Sequence, residues 1–157
     1  MRLLLLGCTG FVGKELVPTL INQNHEIYII SRKPIGKLKL DLDFNKFKFL
    51  QIDLSKEQNW KNENLHSILR NTEGIINLMG EPIAEKKWTN SQKQEIENSR
   101  IKTTKFMMQT LKNLKINPTV IINGSAIGYY GTSFSDEFTE NSIGGKDFLA
   151  NLCRQWE

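Results

Sequence analysis

The chain has 157 residues, of which 39% are hydrophobic and 24% charged, a balance typical of a soluble globular protein with an ordinary core. Its 21 Lys and Arg residues are scattered among 17 acidic residues, and the net charge of +4 comes without a basic stripe, so nucleic acid is not an expected partner. We predict one domain over residues 1–157. Cys8 and Cys153 lie far apart and no signal peptide precedes them, which predicts a reducing cytoplasm, and no apolar run is long enough to span a membrane.

Apolar strand-like runs alternate with helical patterns along the chain. Strands are predicted at Arg2 to Leu6, Ile27 to Ile30, Phe47 to Ile52, Gly74 to Met79 and Thr119 to Asn123. Helices are predicted at Phe11 to Asn22, Leu65 to Asn71, Thr89 to Leu114 and Lys146 to Glu157. This alternation predicts an α/β fold of the Rossmann type, a doubly wound parallel sheet with helices on both faces.

Three further features of the pattern carry predictions. The continuously apolar runs Leu3 to Leu6 and Val120 to Ile122 are typical of strands covered on both faces. The polar stretches Lys33 to Asn45 and Lys56 to Asn64 are predicted surface loops. The apolar face of the long helix is predicted to carry Ile96, Ile101, Met107, Met108 and Leu111.

A glycine turn joins the first strand to the first helix, and it predicts a nucleotide diphosphate site. Gly7 permits the tight turn, Gly10 lets the backbone approach a pyrophosphate, and Gly13 lets the helix pack closely on the strand. The N–H groups and the positive dipole end of the helix attract the anion. The predicted cofactor residues of this segment are Gly7, Thr9, Gly10, Phe11, Val12 and Gly13.

The end of the second strand indicates which dinucleotide binds. An acidic residue at this point accepts the ribose hydroxyls of NAD, whereas a cation welcomes the extra phosphate of NADP. The chain has Ser31, Arg32 and Lys33 there, which favours NADP over NAD. The alternative is an exposed basic turn before Pro34.

Later strand ends complete the predicted cofactor site. Asp53 and Leu54 end the third strand where the adenine usually lies, although the aspartate could instead cap a turn. Leu78, Met79 and Gly80 follow the fourth strand at the edge where open sheets bind ligands.

Hydroxyl groups follow the fifth strand at the same edge. Ser125, Tyr129 and Tyr130 could bind a carbonyl oxygen and pass it a proton during hydride transfer, which makes them the candidate catalytic residues. The alternative is that the serine and its neighbouring glycines only form a turn and that one tyrosine belongs to the core. Neither histidine has metal-ligand neighbours, so no metal site is predicted.

Taken together, these blocks resemble the extended short-chain dehydrogenase/reductase superfamily. The match is closest to its atypical branch of NAD(P)-dependent, nucleoside-diphosphate-sugar epimerase-like proteins, and it runs over the whole chain. The resemblance implies that Ser31 and Arg32 hold the 2′-phosphate, that Leu78 and Met79 line the adenosine side, and that Glu95 and Arg100 face the cofactor. It also implies members roughly twice as long as this chain, with further strands and a substrate lobe. A final helix without a stop signal gives the same expectation of a truncated chain.

One departure from the superfamily divides the functional prediction. Extended members carry a Tyr-x-x-x-Lys motif about two dozen residues after the serine, and this chain has Phe148 and Leu152 there. The leading hypothesis is an NADP-dependent oxidoreductase or epimerase-like enzyme acting on a small substrate, with a nucleotide sugar as one candidate. The competing hypothesis is a non-catalytic NADP(H)-binding sensor or regulatory protein.

Overall fold

Five parallel strands form the sheet that the alternating pattern predicts. The computed structural model describes residues 1–38 and 43–157, apart from the side chain of Phe44. The strands are β1 (Arg2–Leu6), β2 (Glu26–Ser31), β3 (Phe47–Gln51), β4 (Gly74–Asn77) and β5 (Val120–Asn123). Their order is β3-β2-β1-β4-β5, and every neighbouring pair is parallel. This is the Rossmann order, in which the winding reverses at β1 and opens a crevice at the carboxyl ends of the strands. The predicted fold class is confirmed.

Helices lie between and after the strands, and three of those described begin with a capping side chain. They are α1 (Phe11–Asn22), α2 (Glu63–Arg70), α3 (Asn90–Glu97), α4 (Thr103–Asn113) and α5 (Phe148–Trp156). The Asn62, Thr89 and Asp147 side chains cap α2, α3 and α5 by accepting backbone N–H groups in the first turn. None of the helices in the described ranges is long and apolar enough to cross a bilayer.

Two apolar clusters lie on opposite faces of the sheet, because successive side chains of a strand point to opposite sides. On one face, Leu4 and Leu6 pack with α2 and α4 residues such as Leu65 and Met107. On the other face, Leu3 and Leu5 pack with residues that include Val17 of α1. The two-sided burial predicted for β1 is therefore confirmed.

The same prediction is wrong for β5. Val120 and Ile122 are 39% and 51% exposed, while Ile121 between them packs against the α4 side of the core. β5 is an edge strand of this sheet, and only its face that carries Ile121 packs against the core. A continuous apolar run cannot distinguish an edge strand from a central one.

The long helix predicted from Thr89 to Leu114 is interrupted. Between α3 and α4 the backbone forms a π-helical segment, Asn98–Lys102. Side chains compete there for helix carbonyls: Ser99 Oγ donates to the carbonyl of Ile96 at 2.9 Å, and Thr103 Oγ1 donates to the carbonyl of Ser99 at 2.6 Å. The prediction that Met108 lies on the buried face is wrong, since it is 47% exposed, whereas Ile96, Met107 and Leu111 are buried.

The two polar connections contain more structure than predicted. Residues 39–42 of the first connection lie outside the described residues, and the described part includes the 3₁₀ turns Ile35–Lys37 and Phe44–Lys46. The second connection contains a 3₁₀ helix, Glu57–Lys61, and α2 already begins at Glu63. Trp60 is only 4% exposed, and its indole N–H donates to the carbonyl of Leu54 at 2.9 Å. The buried side chain of Trp60 thus packs this segment against the core, although its polar composition predicts a surface loop.

Candidate cofactor-binding site

The turn between β1 and α1 has glycine where a side chain would not fit. Gly7 has a φ of +72°, and a Cβ on it would lie 2.5 Å from the backbone of Leu78 and Met79. A Cβ on Gly13 would lie 1.6 Å from the carbonyl oxygen of Cys8, so α1 packs directly on the turn. A Cβ on Gly10, in contrast, would meet nothing within 4 Å. The turn therefore combines two close backbone contacts with open space at Gly10.

The N-terminus of α1 opens onto this space. Gly10 is its N-cap residue, and no side chain caps the helix. The N–H groups of a first helical turn have no partner within the helix, and they carry the positive end of the helix dipole. An anion placed beside Gly10 would satisfy both features.

A cavity of about 580 Å³ runs from this turn along the carboxyl edge of the sheet. It brings together most of the predicted cofactor residues: Gly7, Thr9, Gly10, Ser31, Arg32, Lys33, Asp53, Leu54, Leu78, Met79 and Gly80. Residues from four separate loops meet there because the carboxyl ends of parallel strands share one edge.

Five predicted cofactor residues do not line this cavity. Phe11 and Val12 are 92% and 58% exposed on the first turn of α1, and Gly13 is buried against the turn itself. Glu95 is exposed on α3. Arg100 is half-buried in the π-helical segment, beneath the loop that follows β4.

After β2 the chain forms a turn that places Arg32 and Lys33 at the edge of the cavity. Ser31 is buried, and its Oγ accepts the N–H of Lys33 at 3.1 Å, which fixes the local turn. The Arg32 side chain is 66% exposed, and its guanidinium Nη2 lies 3.9 Å from the carboxylate of Glu81. The basic turn is therefore present, and it also faces the cavity.

Asp53 holds a turn and also lines the cavity. Its Oδ1 accepts the N–H and the hydroxyl of Ser55 at 3.1 and 2.7 Å, so it does hold a turn. Burial raises the pKa of the Asp53 carboxyl, but these hydrogen bonds together with nearby Lys56 and Arg32 lower it by more, and the net pKa is below its ordinary value. An ionised Asp53 thus lines the cavity beside Leu54.

Sequence reasoning missed three charged residues of the cavity, Glu81, Glu85 and Lys86. The carboxylate of Glu81 and the ammonium of Lys86 are 2.8 Å apart. This hydrogen bond from Lys86 is the main reason that the pKa of Glu81 is lowered. The position of Glu81 directly after Gly80 was a signal that could have found it, whereas Lys86 lies in a loop without a pattern.

The candidate catalytic residues line a different cavity, of about 480 Å³, at the end of β5. Ser125, Tyr129 and Tyr130 meet there with two carboxylates, Glu140 and Glu157. The hydroxyl of Ser125 donates a hydrogen bond to the carboxylate of Glu157. Sequence reasoning missed both carboxylates, because no spacing rule connects them to the serine.

Aromatic packing fixes the two tyrosines. Their rings meet edge to face with centroids 5.1 Å apart, and the ring of Tyr130 also stacks on Phe138 at 5.5 Å. Tyr130 is thus partly a packing residue, but neither tyrosine is buried in the core.

Apolar packing occupies the positions at which the resemblance implies a Tyr and Lys pair. The ring of Phe148 meets Trp88 edge to face at 5.8 Å, and the Lys93 ammonium lies 5.4 Å from its centroid. Leu152 is 4% exposed. Both residues belong to α5 and help to hold it in place.

Comparisons with known proteins agree with this architecture. Residues 3–148 match the family model described as "NAD dependent epimerase/dehydratase family". The chain belongs to the NAD dependent epimerase/dehydratase family. An Arabidopsis thaliana relative, "Epimerase family protein SDR39U1 homolog, chloroplastic", is 37% identical over all of this chain and 43% of its own length. "Epimerase family protein YfhF" of Bacillus subtilis is 32% identical over all of this chain and 48% of its own length. The chain therefore spans about half the length of these relatives, as the resemblance implied.

Solved structures share the fold. The crystal structure of human epimerase family protein SDR39U1 (isoform2) with NADPH has a TM-score of 0.71 and 25% identity over 99% of this chain and 47% of that protein. The Bordetella bronchiseptica enzyme WbmG in complex with NAD and UDP has a TM-score of 0.75 over 99% of this chain and 47% of that protein. At 13% identity, the second similarity supports the fold alone.

Proposed function

We propose that the protein containing this chain binds NADP(H) and transfers hydride between it and a small substrate. The main support is the first cavity, which extends from the uncapped N-terminus of α1 to Arg32 and Lys33 after β2. Glycines keep the space beside the helix open, and Arg32 and Lys33 stand at the other end, so the residues present fit a phosphorylated dinucleotide. The human relative whose structure contains NADPH supports the choice of NADP over NAD.

The residues of the cavity divide into three roles in this proposal. Backbone N–H groups around Gly10 bind the pyrophosphate, Arg32 binds the 2′-phosphate with Ser31 and Lys33 beside it, and Leu54 and Met79 contact the adenosine. When bound, the nicotinamide supplies or accepts the hydride. The remaining chemistry is the movement of one proton at the substrate oxygen.

Ser125 and Glu157 are the proposed path for that proton. During oxidation of a substrate alcohol, Ser125 Oγ would accept the hydroxyl proton while it passes its own proton to the Glu157 carboxylate. The existing hydrogen bond between the two side chains provides this route. Tyr129 or Tyr130 would serve as the alternative donor to the substrate oxygen.

We include nucleotide sugars among the candidate substrates. Solved structures that share the fold include complexes with UDP or UDP-glucose. We propose a cytoplasmic location, in keeping with the two free cysteines, although the Arabidopsis relative is named chloroplastic.

A turnover assay on the full-length protein tests the proposal. NADPH oxidation and NADP⁺ reduction are followed at 340 nm across a panel of carbonyls, alcohols and nucleotide sugars. We expect turnover with at least one substrate, and a loss of roughly a hundredfold in Ser125→Ala and Glu157→Gln with NADPH affinity retained. Tyr129→Phe and Tyr130→Phe test the alternative donor. No turnover across the panel, with NADPH bound, would contradict the enzymatic role.

The apolar packing of Phe148 and Leu152 favours a second candidate function, a non-catalytic sensor of NADP(H). A sensor binds the cofactor tightly and changes conformation without catalysis. Protease sensitivity of the full-length protein with and without NADPH, measured beside the turnover assay, separates the two functions.

A further inference from the structure

A carboxylate lies between two cations in the cofactor cavity. Glu81 Oε1 is 2.8 Å from the ammonium of Lys86, and Glu81 Oε2 is 3.9 Å from the guanidinium of Arg32. The Glu81 side chain is only 18% exposed, while those of Arg32 and Lys86 are 66% and 60% exposed. The acid is therefore enclosed, and its two partners are the more exposed members of the cluster.

The backbone of Glu81 is held from below by the π-helical segment. Its N–H donates to Ser99 Oγ at 2.8 Å, and its carbonyl accepts Nη1 of Arg100 at 3.0 Å. Gly80 makes room for this contact, since a Cβ on it would lie 2.7 Å from the guanidinium carbon of Arg100. The π-helical segment thus holds both main-chain polar groups of Glu81, whereas its carboxylate is held by Lys86 and Arg32.

All three charged residues line the same cavity, which contains the proposed position of the 2′-phosphate. A phosphate monoester carries up to two negative charges and three acceptor oxygens, whereas a carboxylate carries one charge and two oxygens. The phosphate therefore competes with Glu81 for the same two cations, and a carboxylate that stays nearby repels it.

We propose that Glu81 and Lys86 set the preference for NADP(H) over NAD(H). Before the cofactor binds, the Glu81 carboxylate is paired with Lys86 and Arg32. The 2′-phosphate then displaces this carboxylate, and Lys86 joins Arg32 as a phosphate ligand. This inference rests on the proposed binding of NADP(H). It assigns a selectivity role to two residues outside the segment that follows β2.

The isosteric variant Glu81→Gln tests the competition directly. Isothermal titration of the full-length protein with NADPH, NADH and the fragment 2′,5′-ADP is the measurement. We expect NADPH and 2′,5′-ADP to bind roughly three- to tenfold more tightly than to the wild type, and NADH to change by less than about twofold. Weaker NADPH binding, or equal changes for both cofactors, would overturn the proposal. A selective loss of NADH would also overturn it, because Glu81 would then be a ribose acceptor.

Lys86→Met is the second variant, and Lys87→Met is its matched control. Lys87 is the next residue, is exposed, and is not among the residues that line the cavity. We expect Lys86→Met to weaken NADPH and 2′,5′-ADP roughly three- to tenfold with NADH nearly unchanged, and Lys87→Met to change neither. Equal effects of the two variants would show a general charge effect and refute a role for Lys86.

The failure of this inference is distinguishable from the failure of the proposed function. If the wild type binds neither NADPH nor NADH, the proposed function fails. If it binds NADPH and Arg32→Glu weakens that binding, while Glu81→Gln and Lys86→Met leave the preference for NADPH unchanged, only the role of Glu81 and Lys86 is refuted.

Discussion

Cys8 lies inside the glycine turn but takes no part in its proposed chemistry. The thiol is 1% exposed, and its Sγ lies 3.9 Å from the carbonyl oxygen of Leu5. Burial raises the pKa of Cys8 to about 12, and a backbone hydrogen bond offsets this only in part. The thiolate is the reactive form of cysteine, so Cys8 is inert in the folded protein near neutral pH.

The raised pKa of Cys8 predicts a loss of stability at high pH. In the unfolded chain the thiol ionises near pH 9, whereas in the folded protein it stays neutral up to about pH 12. The free energy of unfolding therefore falls between these values, by about 1 kcal/mol from pH 8 to pH 10 for this group. Urea unfolding of wild type and Cys8→Ala at both pH values isolates the contribution. An equal pH dependence of the two proteins would contradict the raised pKa.

The sequence predicts the positions of some site residues and not of others. The place of Arg32 at the cavity was predictable because it follows the second strand, whose carboxyl end lies at the edge where open sheets bind ligands. Glu81 and Lys86 were not, since their meeting depends on the path of the loop after β4. The place of Ser125 after a strand was predictable, but its partner Glu157 directly follows α5.

In the turn that joins β1 to α1, we expect two similar substitutions to lower the free energy of unfolding by very different amounts. Gly13→Ala forces a Cβ to within 1.6 Å of the Cys8 carbonyl oxygen, so we expect it to lower the free energy of unfolding by about 3 kcal/mol or more. Gly10→Ala meets no atom within 4 Å and has an extended backbone with φ −93°, so its cost is less than about 1 kcal/mol. Chemical unfolding of both variants measures the difference.

The same pair separates folding from binding. Because a Cβ on Gly10 enters the space proposed for the pyrophosphate, Gly10→Ala should weaken NADPH and NADH alike while the protein stays folded. Unchanged affinity for both cofactors in folded Gly10→Ala would show that the pyrophosphate lies elsewhere.

The long helix illustrates the limit of periodic patterns at this scale. Spacing correctly placed Ile96, Met107 and Leu111 in the core. Periodicity could not predict the π-helical segment, where side-chain hydrogen bonds replace part of the helix pattern. The segment is the one that holds the backbone of Glu81.

Across the whole molecule, the sequence predicts the order of strands and helices better than the exposure of β5 and the contacts between distant segments. The alternation of strands and helices and the glycine turn are sufficient to predict the Rossmann order. They could not predict the exposed face of β5, or the separate cavity formed by residues of β5's loop, Glu140 and Glu157, since both depend on contacts between segments distant in sequence. The order of the strands locates the cofactor edge, and the loops decide what that edge recognises.

Calorimetric titration of the folded full-length protein with NADPH and NADH, in the wild type and in Arg32→Glu, tests the central claim most directly. We expect the wild type to bind NADPH more tightly than NADH. Arg32→Glu should weaken NADPH by roughly ten- to a hundredfold more than NADH, because it exchanges attraction for repulsion at the 2′-phosphate. Absence of binding heat with both nucleotides, or an equal loss for the two in Arg32→Glu, would contradict the account.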